Sequence, residues 1–357
     1  MTSRSDEQRL LITGGAGFIG AAVVRRVLSD GHAVCTYDKL TYAADRDFVA
    51  EVAQHPRHLF VQGDVCDPVL VASTIASFRP TAILHLAAES HVDRSIDGPA
   101  AFVQTNVVGT QVMLDAALAY WRDLPAAQKT GFRFHHISTD EVFGSVEAPD
   151  RFHPDTPYDP SSPYSASKAA SDLLVRAWHR TYGLPIVLSN CSNNYGPRQF
   201  PEKLIPLMII KALREEPLPV YGDGGNVRDW LHVEDHVDAL LAVLTRGKIG
   251  ATYLIGGGTE MTNLDLVGRI CDLVDAKAPS ENGARRRLIS FVEDRPGHDR
   301  RYAIDASATE RDLGWKPARA FDAALDELVD WYLARRAWWE AILAERYDAK
   351  RIGKAAA

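Results

Sequence analysis

The feature that most restricts the fold of this chain is a run of glycines near its N-terminus. Gly14, Gly17 and Gly20 follow a short apolar segment, Leu10–Thr13, and open a segment with helical hydrophobic spacing. Glycines at this spacing let the backbone approach a pyrophosphate group at the N-terminus of a helix. A strand, a glycine-rich turn and a helix in this order predict the first unit of a dinucleotide-binding fold.

Short apolar segments alternate with helical patterns through the first half of the chain. Most of these segments are apolar on consecutive residues, as strands buried on both faces of a parallel sheet require. The predicted strands are Leu10–Thr13, Ala33–Tyr37, His58–Gln62, Ala82–Leu86, Phe132–Ser138 and Pro185–Ser189. The predicted helices between them are near Ile19–Asp30, Pro68–Phe78, Ala100–Trp121 and Ser165–Tyr182. The alternation predicts an α/β fold with a doubly wound parallel Rossmann sheet.

This alternation ends after Asn190, where prolines become frequent. We therefore expect residues 1–190 to bind the dinucleotide and residues 191–357 to form a smaller α+β domain that binds the substrate. Residues 233–255 are expected to return to the first domain. The later predicted elements are a helix Val233–Thr245, a strand Thr252–Ile255, one long helix Phe321–Leu343 with an apolar face, and a frayed tail Lys350–Ala357.

The composition argues against several classes of partner. The formal charge of -7 disfavours nucleic-acid binding, which depends largely on an excess of Lys and Arg. Four cysteines occur singly with no CxxC pair, so neither a metal site nor a disulfide framework is indicated. The longest apolar stretch, Leu204–Leu213, is about half of a membrane span, and the polar Met1–Arg9 does not resemble a secretory signal. We expect a cytoplasmic protein with no membrane partner and no metal.

Asp38 ends the second predicted strand and bears on the choice of cofactor. A carboxylate at this place accepts hydrogen bonds from a ribose diol and repels a 2′-phosphate. The sequence therefore favours NAD over NADP. Gly63, Asp64 and Val65 follow the third predicted strand, where contact with the adenine end of the cofactor is expected.

Tyr164 and Lys168 form a second constellation, on one face of the predicted helix Ser165–Tyr182. Such a pair is usually a surface pairing, but this one lies downstream of a complete dinucleotide fold. A tyrosine that acts as a base near neutral pH must lower its pKa from about 10 by roughly 3 units. A lysine cation and the positive nicotinamide ring provide a field of the right sign. We expect Tyr164 to remove a proton from a sugar hydroxyl.

Thr139, Asp140 and Glu141 follow each other at the end of the fifth predicted strand. In a regular strand Asp140 and Glu141 would point to opposite faces, so joint action requires the strand to give way to a loop or turn. Two adjacent carboxyls can differ in pKa, which leaves one protonated as an acid and the other ionised as a base. An isolated Asp-Glu pair is more often a hydrated strand end, but here it completes a coherent site.

These strings resemble a known enzyme family. Thr13–Gly20, Tyr164–Lys168 and Asn193–Pro197 are similar to those of extended short-chain dehydrogenases that act on nucleotide sugars. Further strings resemble the dTDP-glucose 4,6-dehydratase family, and these are Asp38–Ala43, Ala87–Ser95, Ser138–Val142, Val227–Trp230 and Asp294–Tyr302. The resemblance extends from Leu10 to about Pro317. Its most discriminating string is Thr-Asp-Glu, because sugar 4-epimerases of the same superfamily lack the Asp-Glu pair.

The resemblance implies the conversion of dTDP-glucose to dTDP-4-keto-6-deoxyglucose and water, in the biosynthesis of deoxysugars such as rhamnose. It implies tightly bound NAD that accepts a hydride transiently. Tyr164, helped by Lys168 and Thr139, would remove the proton of the 4-hydroxyl group. Glu141 would then remove the proton at carbon 5, while Asp140 would protonate the departing 6-hydroxyl group.

The resemblance also implies binding residues and a homodimer. The cofactor residues would be Gly14, Gly17, Phe18, Ile19, Gly20, Asp38, Lys39, Leu40, Thr41, Asp64, Val65, Leu86, Ala87, Ala88, Ser90, Thr105, Tyr164, Lys168 and Asn194. The nucleotide-sugar residues would be Ser90, His91, Thr139, Asn193, Glu202, Lys203, Leu204, Pro219, Tyr221, Arg228, Asn263, Arg295, His298 and Tyr302. The dimer would form through the helices near Ala100–Trp121 and Ser165–Tyr182.

Other groups of residues and other functions compete with this interpretation. Arg285–Arg287 is expected to be a solvated face, and His135 and His136 are expected to pack in the interior without metal-ligand spacing. The alternatives are a UDP-sugar epimerase, a UDP-glucuronate decarboxylase, another UDP- or GDP-linked dehydratase, or a non-catalytic NAD-binding Rossmann protein. The Asp-Glu pair argues against the first two, and Asp38 argues against an NADP-dependent GDP-mannose dehydratase. A non-catalytic protein would be expected to lack part of the catalytic set, which is complete.

Overall fold

The structure is a computed structural model that describes residues 8–347. The expected frayed tail Lys350–Ala357 and most of Met1–Arg9 lie outside the described residues. The strands are β1 Arg9–Thr13, β2 Ala33–Asp38, β3 His58–Gln62, β4 Ala82–His85, β5 Arg133–Thr139, β6 Ile186–Cys191, β7 Asn193–Tyr195, β8 Leu218–Tyr221, β9 Val227–His232, β10 Thr252–Ile255, β11 Glu260–Thr262 and β12 Ile289–Val292.

The helices include several that are only one or two turns long. They are α1 Phe18–Ser29, α2 Arg46–Val52, α3 Pro68–Phe78, α4 Val92–Asp97, α5 Pro99–Phe102, α6 Gly109–Asp123, α7 Ala126–Lys129, α8 Pro163–Tyr182, α9 Leu204–Leu213, α10 Val233–Arg246, α11 Asn263–Lys277, α12 Ser307–Leu313, α13 Phe321–Ala334 and α14 Arg336–Glu345. A π-helical stretch occupies Val103–Val108, and 3-10 turns occupy Asp140–Phe143 and Arg285–Leu288.

A parallel sheet of seven strands forms the centre of the described part of the chain, in the order β10-β6-β5-β4-β1-β2-β3. Every neighbouring pair in this sheet is parallel. The Rossmann fold expected from the sequence is confirmed. The chain order reverses between β1 and β4, and ligands bind beside the carboxyl ends of the strands at such a reversal.

Helices cover both faces of this sheet because its strands are apolar on consecutive residues. Leu10 and Ile12 of β1 pack in one buried cluster with residues of α1 and α10. Leu11, between them, packs in a second cluster with residues of α3, α6 and α8. Burial on both faces explains why the sequence shows apolar runs here instead of alternation.

The remaining described strands form two small sheets beside the main one. Their orders are β11-β9-β7 and β12-β8. Helices α9, α11 and α13 pack beside these sheets around a separate buried cluster that includes Ile209, Ile270 and Val329. β7 follows β6 almost directly in the chain, which brings this second part of the molecule next to the carboxyl ends of the main strands.

The prediction of a single helix over Phe321–Leu343 is wrong. The chain forms two helices, α13 and α14, which are separated at Arg335, where φ is -112° and ψ is 37°. The indole N–H of the buried Trp339 donates to the carbonyl of Tyr332 at 2.9 Å. A continuous helix would use that carbonyl in its own hydrogen-bond ladder, so the break frees it for the tryptophan.

The expectation of a solvated arginine face is wrong for Arg285. Its guanidinium is buried, pairs with Asp275 at 2.7 Å and donates to the carbonyl of Ala212 at 2.7 Å. Arg286 and Arg287 of the same run are exposed. His135 and His136 are completely buried, in agreement with the sequence.

The described residues lack two features, a membrane-spanning helix and a cluster of metal-binding side chains. Across 8–347, no helix is long and apolar enough to cross a membrane. Within the same range, no group of three or more His, Cys, Asp or Glu side chains is arranged to hold a metal ion.

Candidate active site

The glycine loop between β1 and α1 has the geometry of a pyrophosphate cradle. Gly14 has φ of +68°, and a Cβ atom there would lie 2.8 Å from the backbone of Ala87. A Cβ on Gly20 would lie 2.1 Å from the carbonyl oxygen of Gly14. No side chain caps the first turn of α1 at Gly17, so its backbone N–H groups can receive an anion. The loop therefore fits a dinucleotide.

Carboxylates at the ends of β2 and β3 define the next part of the site. Asp38 accepts hydrogen bonds from the backbone N–H groups of Ala16, at 2.9 Å, and Leu40, at 2.8 Å. Burial raises the pKa of Asp38, while these two bonds oppose the rise. Asp64 pairs with Lys39 at 2.6 Å. The fixed carboxylate of Asp38 beside the glycine loop is suited to a ribose diol.

One cavity of about 330 Å³ runs from the glycine loop to the ends of β5 and β6. All the cofactor residues expected from the sequence line it except Leu40. Leu40 has φ of +57° and contributes its backbone N–H to Asp38. Of the expected substrate residues, this cavity is lined by Ser90, Thr139, Asn193, Glu202 and Lys203.

Tyr164 and Lys168 line this cavity from the first two turns of α8. The helix begins at Pro163 because Ser162 and Ser165 form a reciprocal capping box. The ammonium group of the buried Lys168 donates to the carbonyl of Ile137 at 2.9 Å. The buried Tyr164 packs edge-to-face against Phe102, with ring centroids 6.3 Å apart. Both side chains are thus held in fixed positions.

Asp140 and Glu141 both line the cavity because β5 ends at Thr139 and a 3-10 turn follows. The Thr139 hydroxyl accepts a hydrogen bond from the backbone N–H of Glu141 at 3.3 Å. The same hydroxyl donates to the Asp140 carboxyl at 3.3 Å. The turn removes the alternation that would have separated the two carboxyls in a strand.

The two carboxyls have different electrostatic surroundings. Burial, then the charges of Glu141 and Asp229, raise the pKa of Asp140 well above its ordinary value. Burial also raises the pKa of Glu141, but the cations of Arg295, Arg228 and Lys203 oppose that rise. Asp140 is therefore suited to hold a proton, and Glu141 is the better candidate for the ionised form.

The tyrosine and the lysine are both shifted by burial. Burial, then the charges of Glu141 and Cys191, raise the pKa of Tyr164 well above its ordinary value, while a hydrogen bond with Thr139 lowers it. Burial lowers the pKa of Lys168, and the charge of Asp172 opposes this. The protein groups alone therefore keep the phenol neutral near pH 7, and a nearby positive charge would favour its ionised form.

The charges of Arg228 and Arg295 act on Glu141 and favour its ionised form. Arg228 is buried and lies 4.1 Å over the ring of Tyr302. Arg295 pairs with Asp93 at 3.2 Å, and Asp93 also accepts the Tyr221 hydroxyl at 2.8 Å. These arginines could neutralise a diphosphate, which binds best to paired guanidinium groups.

The other expected substrate residues occupy several places around this end. His298 lies against Tyr221, with ring centroids 6.1 Å apart, and Pro219 shares strand β8 with Tyr221. Asn263 begins α11, and its buried side-chain oxygen has no hydrogen-bond partner. Leu204 begins α9. These residues, with His91 and Tyr302, are not part of the cavity wall.

Glu202 has protein partners already, which the sequence did not suggest. It accepts the Tyr42 hydroxyl at 3.0 Å and the Arg94 guanidinium at 3.3 Å, and His91 lies 3.8 Å away. Lys203 donates to the carbonyl of Ser90 at 2.8 Å. These contacts join the segment before α9 to loops of the main sheet over the cavity.

Sequence reasoning missed several residues at this site. The cavity is also lined by Tyr37, Ala43, Ala44, Glu89, Ile137, Ser138, Cys191, Ser192, Gln199 and Phe200. Ser138, Cys191 and Ser192 are at strand ends, and that position was an available signal. Gln199 and Phe200 are in a loop, where no local pattern indicates contact with a ligand.

Comparison with known proteins agrees with this geometry. A family model described as GDP-mannose 4,6 dehydratase matches residues 11–328. A dTDP-glucose 4,6-dehydratase of Neisseria meningitidis serogroup B is 54% identical over 351 residues, which are 97% of this chain and 99% of that protein. The dTDP-glucose 4,6-dehydratase 1 of Escherichia coli (strain K12) is 53% identical, over 96% of this chain and 97% of that protein.

A solved structure is similar over the same extent. The crystal structure of DesIV, a dTDP-glucose 4,6-dehydratase from Streptomyces venezuelae with NAD and TYD bound, superposes with a TM-score of 0.85. The two chains are 45% identical, and the match covers 94% of this chain and 99% of that one. Fold, site and sequence relatives therefore agree over nearly the whole length of the chain.

Proposed function

The chain belongs to the nucleotide-sugar dehydratase family described as GDP-mannose 4,6 dehydratase, and we propose that it is an NAD-dependent dTDP-glucose 4,6-dehydratase. It converts dTDP-glucose to dTDP-4-keto-6-deoxyglucose and water. The observation that carries this proposal is the turn at Asp140–Phe143, which brings two carboxyls into the cavity that holds Tyr164 and Lys168. Elimination of water requires an acid as well as a base, whereas 4-epimerisation requires no acid to expel a hydroxyl group.

NAD fits the residues of the first half of the cavity. The glycine loop and the uncapped start of α1 receive the pyrophosphate, and Asp38 accepts the ribose hydroxyls. When bound, NAD takes a hydride from carbon 4 of the sugar and returns it to carbon 6. The relatives named above include a structure that contains NAD.

Tyr164 starts the reaction by removing the proton of the 4-hydroxyl group. The hydroxyl of Thr139 lowers the pKa of the phenol, and it can stabilise the phenolate by turning its proton from Asp140 to Tyr164. Lys168, fixed by the carbonyl of Ile137, contributes a cation that favours the phenolate. The ketone formed at carbon 4 makes the hydrogen at carbon 5 acidic.

Glu141 and Asp140 then act on opposite ends of the bond that becomes a double bond. Glu141, whose charge is favoured by nearby Arg295 and Arg228, removes the proton at carbon 5. Asp140, which burial keeps protonated, gives its proton to the departing 6-hydroxyl group. Water leaves, carbon 6 then receives the hydride that carbon 4 lost, and carbon 5 receives a proton, so the sugar undergoes no net oxidation.

The nucleotide part of the substrate would lie beside the small sheets. Arg228 and Arg295 are the proposed partners of the diphosphate, since burial of an unpaired diphosphate would be prohibitive. We assign residues 1–190 with 233–255 to the cofactor and the other residues of 191–357 to the nucleotide sugar. The cavity between the glycine loop and Lys203 supports this division.

The proposal includes a homodimer that works in the cytoplasm. Val103 and Leu173, on neighbouring helical segments, are apolar and 51% and 56% exposed. A second copy of the chain could cover them in a four-helix arrangement. All four cysteines are unpaired, which suits a reducing compartment.

The decisive experiment is incubation of the purified protein with dTDP-glucose, UDP-glucose and GDP-mannose separately. We expect the mass of dTDP-glucose alone to decrease by one water, with only catalytic NAD added. Water loss from another sugar would retain the mechanism and change the substrate. An unchanged mass with all three would contradict the proposal, and chromatography would then show whether an epimer had formed.

A further inference from the structure

A buried carboxylate lies directly behind the catalytic pair. Asp172 follows Lys168 by four residues, as Lys168 follows Tyr164, so all three lie on one face of α8. Asp172 is completely buried; its Oδ2 atom accepts hydrogen bonds from Tyr158 and Asn190, and its Oδ1 atom faces His136. A charged group in such a place is costly unless it stabilises another charge. The proposed reaction gives Asp172 no part.

His136 of strand β5 connects Asp172 to Lys168. Its Nε2 atom lies 3.2 Å from the Oδ1 atom of Asp172 and 3.5 Å from the Nζ atom of Lys168. Burial, and after it the charge of Lys168, lowers the pKa of His136 to about 4. The imidazole is therefore neutral near pH 7. The charge of Asp172 is left to act on the ammonium group of Lys168.

Asn190 of strand β6 connects the same carboxylate to the other half of the catalytic set. Its amide group donates to Asp172 at 3.1 Å and to the carbonyl of Thr139 at 2.9 Å. Thr139 is the residue at which β5 gives way to the turn with the two catalytic carboxyls. The buried carboxylate of Asp172 thus contacts His136, which lies beside Lys168, and Asn190, which bonds to the strand end before the turn.

Few other titratable groups lie beside Asp172 and Lys168. From α8 itself, Arg176 reaches Tyr158, whose hydroxyl donates to Asp172 at 2.9 Å. From β4, His85 packs beside His136, with ring centroids 5.4 Å apart, and burial holds its pKa far below the ordinary value. From β6, Cys191 acts on Lys168, and burial raises the pKa of its thiol. Both groups are thus neutral near pH 7, and Asp172 is the anion that remains beside Lys168.

We propose that Asp172 is a positioning residue for the reaction: it is the buried counter-ion that keeps Lys168 protonated, and through Asn190 it holds the strand end that carries Thr139. The inference rests on the proposed function for its catalytic meaning. Without the carboxylate, Lys168 would lose its proton at lower pH and no longer favour the phenolate of Tyr164.

The test compares Asp172→Asn with Tyr158→Phe. The first removes the charge and keeps the shape, whereas the second removes a hydrogen bond to the same carboxylate and keeps the charge. The pKa of Lys168 is measured by NMR of protein labelled at the lysine Cε atoms, and its signal is assigned from its absence in Lys168→Met. An opposite charge within about 4 to 6 Å shifts a pKa by about 1 unit or more. We expect a fall of that size in Asp172→Asn and less than about 0.3 unit in Tyr158→Phe.

The activity with dTDP-glucose supplies the second measurement. The alkaline limit of kcat should move to lower pH in Asp172→Asn by the same amount as the lysine titration, and in Tyr158→Phe it should not move. An unchanged titration of Lys168 in Asp172→Asn, or equal shifts in the two variants, would overturn the inference. If Asp172→Asn does not fold, Asp172→Ser is titrated in its place. An inactive wild-type protein would refute the proposed function, while the titration would still decide this inference.

Discussion

Two adjacent carboxyl groups can perform opposite tasks only if their surroundings hold them in different protonation states. Asp140 is buried and lies near the charges of Glu141 and Asp229. The charge of Arg228 acts on both carboxyls, and those of Arg295 and Lys203 act in addition on Glu141. The difference is therefore produced by side chains from β9 and from the loop after β12, far from the Asp-Glu pair in sequence.

Substitution should separate the two tasks. We expect Glu141→Gln to abolish the exchange of the carbon 5 hydrogen with solvent, because the amide cannot remove a proton. Asp140→Asn should keep this exchange and slow the release of water by about 100-fold or more, the usual contribution of a general acid. The measurement is deuterium incorporation into dTDP-glucose recovered from D₂O, beside product formation. Normal exchange in Glu141→Gln would show that another group is the base.

A substitution at Gly20 tests whether the glycine loop binds the cofactor. A Cβ atom there would lie 2.1 Å from the Gly14 carbonyl oxygen, so Gly20→Ala must displace the loop that receives the pyrophosphate. We expect the affinity for NAD, measured by calorimetry on protein stripped of cofactor, to fall at least about 10-fold. Gly98→Ala is the control, since the nearest atom to its added Cβ lies 3.8 Å away. Equal affinities in the two variants would contradict this account of the loop.

At the scale of elements, the 3-10 turn Arg285–Leu288 is attached to the molecule by one buried guanidinium. Arg285 bonds to Asp275 of α11 and to the carbonyl of Ala212 at the end of α9. We expect Arg285→Met to lower the free energy of unfolding by about 3 kcal/mol, because the Ala212 carbonyl and the half-buried Asp275 carboxylate lose their guanidinium donor. Arg286→Met removes an exposed pair with Asp272 and should cost less than about 1 kcal/mol. Urea denaturation of both variants measures the difference, and similar losses would refute the distinction.

The arginine run Arg285–Arg287 also shows what the sequence alone could and could not predict. Strands β1 to β6 were recognised because a parallel sheet requires consecutive apolar residues, which is a local signal. The residues proposed as catalytic could be selected from the sequence because strand ends and helical spacing are local as well. The burial of Arg285 could not be predicted from the sequence, since the carbonyl to which it donates, at Ala212, is 73 residues away in the chain. The break at Arg335 depends on where Trp339 packs, which no periodicity shows.

Asp172 illustrates a signal that was present and unused. It continues the four-residue spacing of Tyr164 and Lys168 on α8. The spacing alone does not distinguish a buried counter-ion from a solvated charge on a helix surface. That distinction depends on His136 and Asn190, which approach from two strands of the sheet.

At the scale of the whole molecule, the exposed apolar residues Val103 and Leu173 predict self-association. We expect Leu173→Glu to convert a dimer into a monomer, measured as molar mass by light scattering coupled to size-exclusion chromatography. Val69→Glu is the control, because Val69 is 77% exposed on α3, outside the two proposed helical segments. A wild-type protein with the mass of one chain would refute the dimer, and loss of the dimer in Val69→Glu would relocate its interface.

Burial of several histidines makes the stability of the whole chain dependent on pH. In the folded protein, burial lowers the pKa of His135 and the pKa of His236 to about 3, whereas a free histidine has a pKa of 6.5. These groups are neutral when folded, whereas the unfolded chain binds protons below pH 6.5. Their contribution is therefore complete above pH 6.5 and is lost progressively as the pH falls toward 3.

His135 offers the cleanest measurement of this effect, because its ring bonds to Ser189 and pairs with no carboxylate. Between pH 7 and pH 5, one such histidine should cost the folded state about 2 kcal/mol. We expect the free energy of unfolding of His135→Gln to fall less steeply over that interval than that of the wild type, by about this amount, even if the variant is less stable at pH 7. His153→Gln, at an exposed position, is the matched control in the same urea titrations. Parallel pH dependences in wild type and His135→Gln would mean that the buried imidazole is not the group that unfolding protonates.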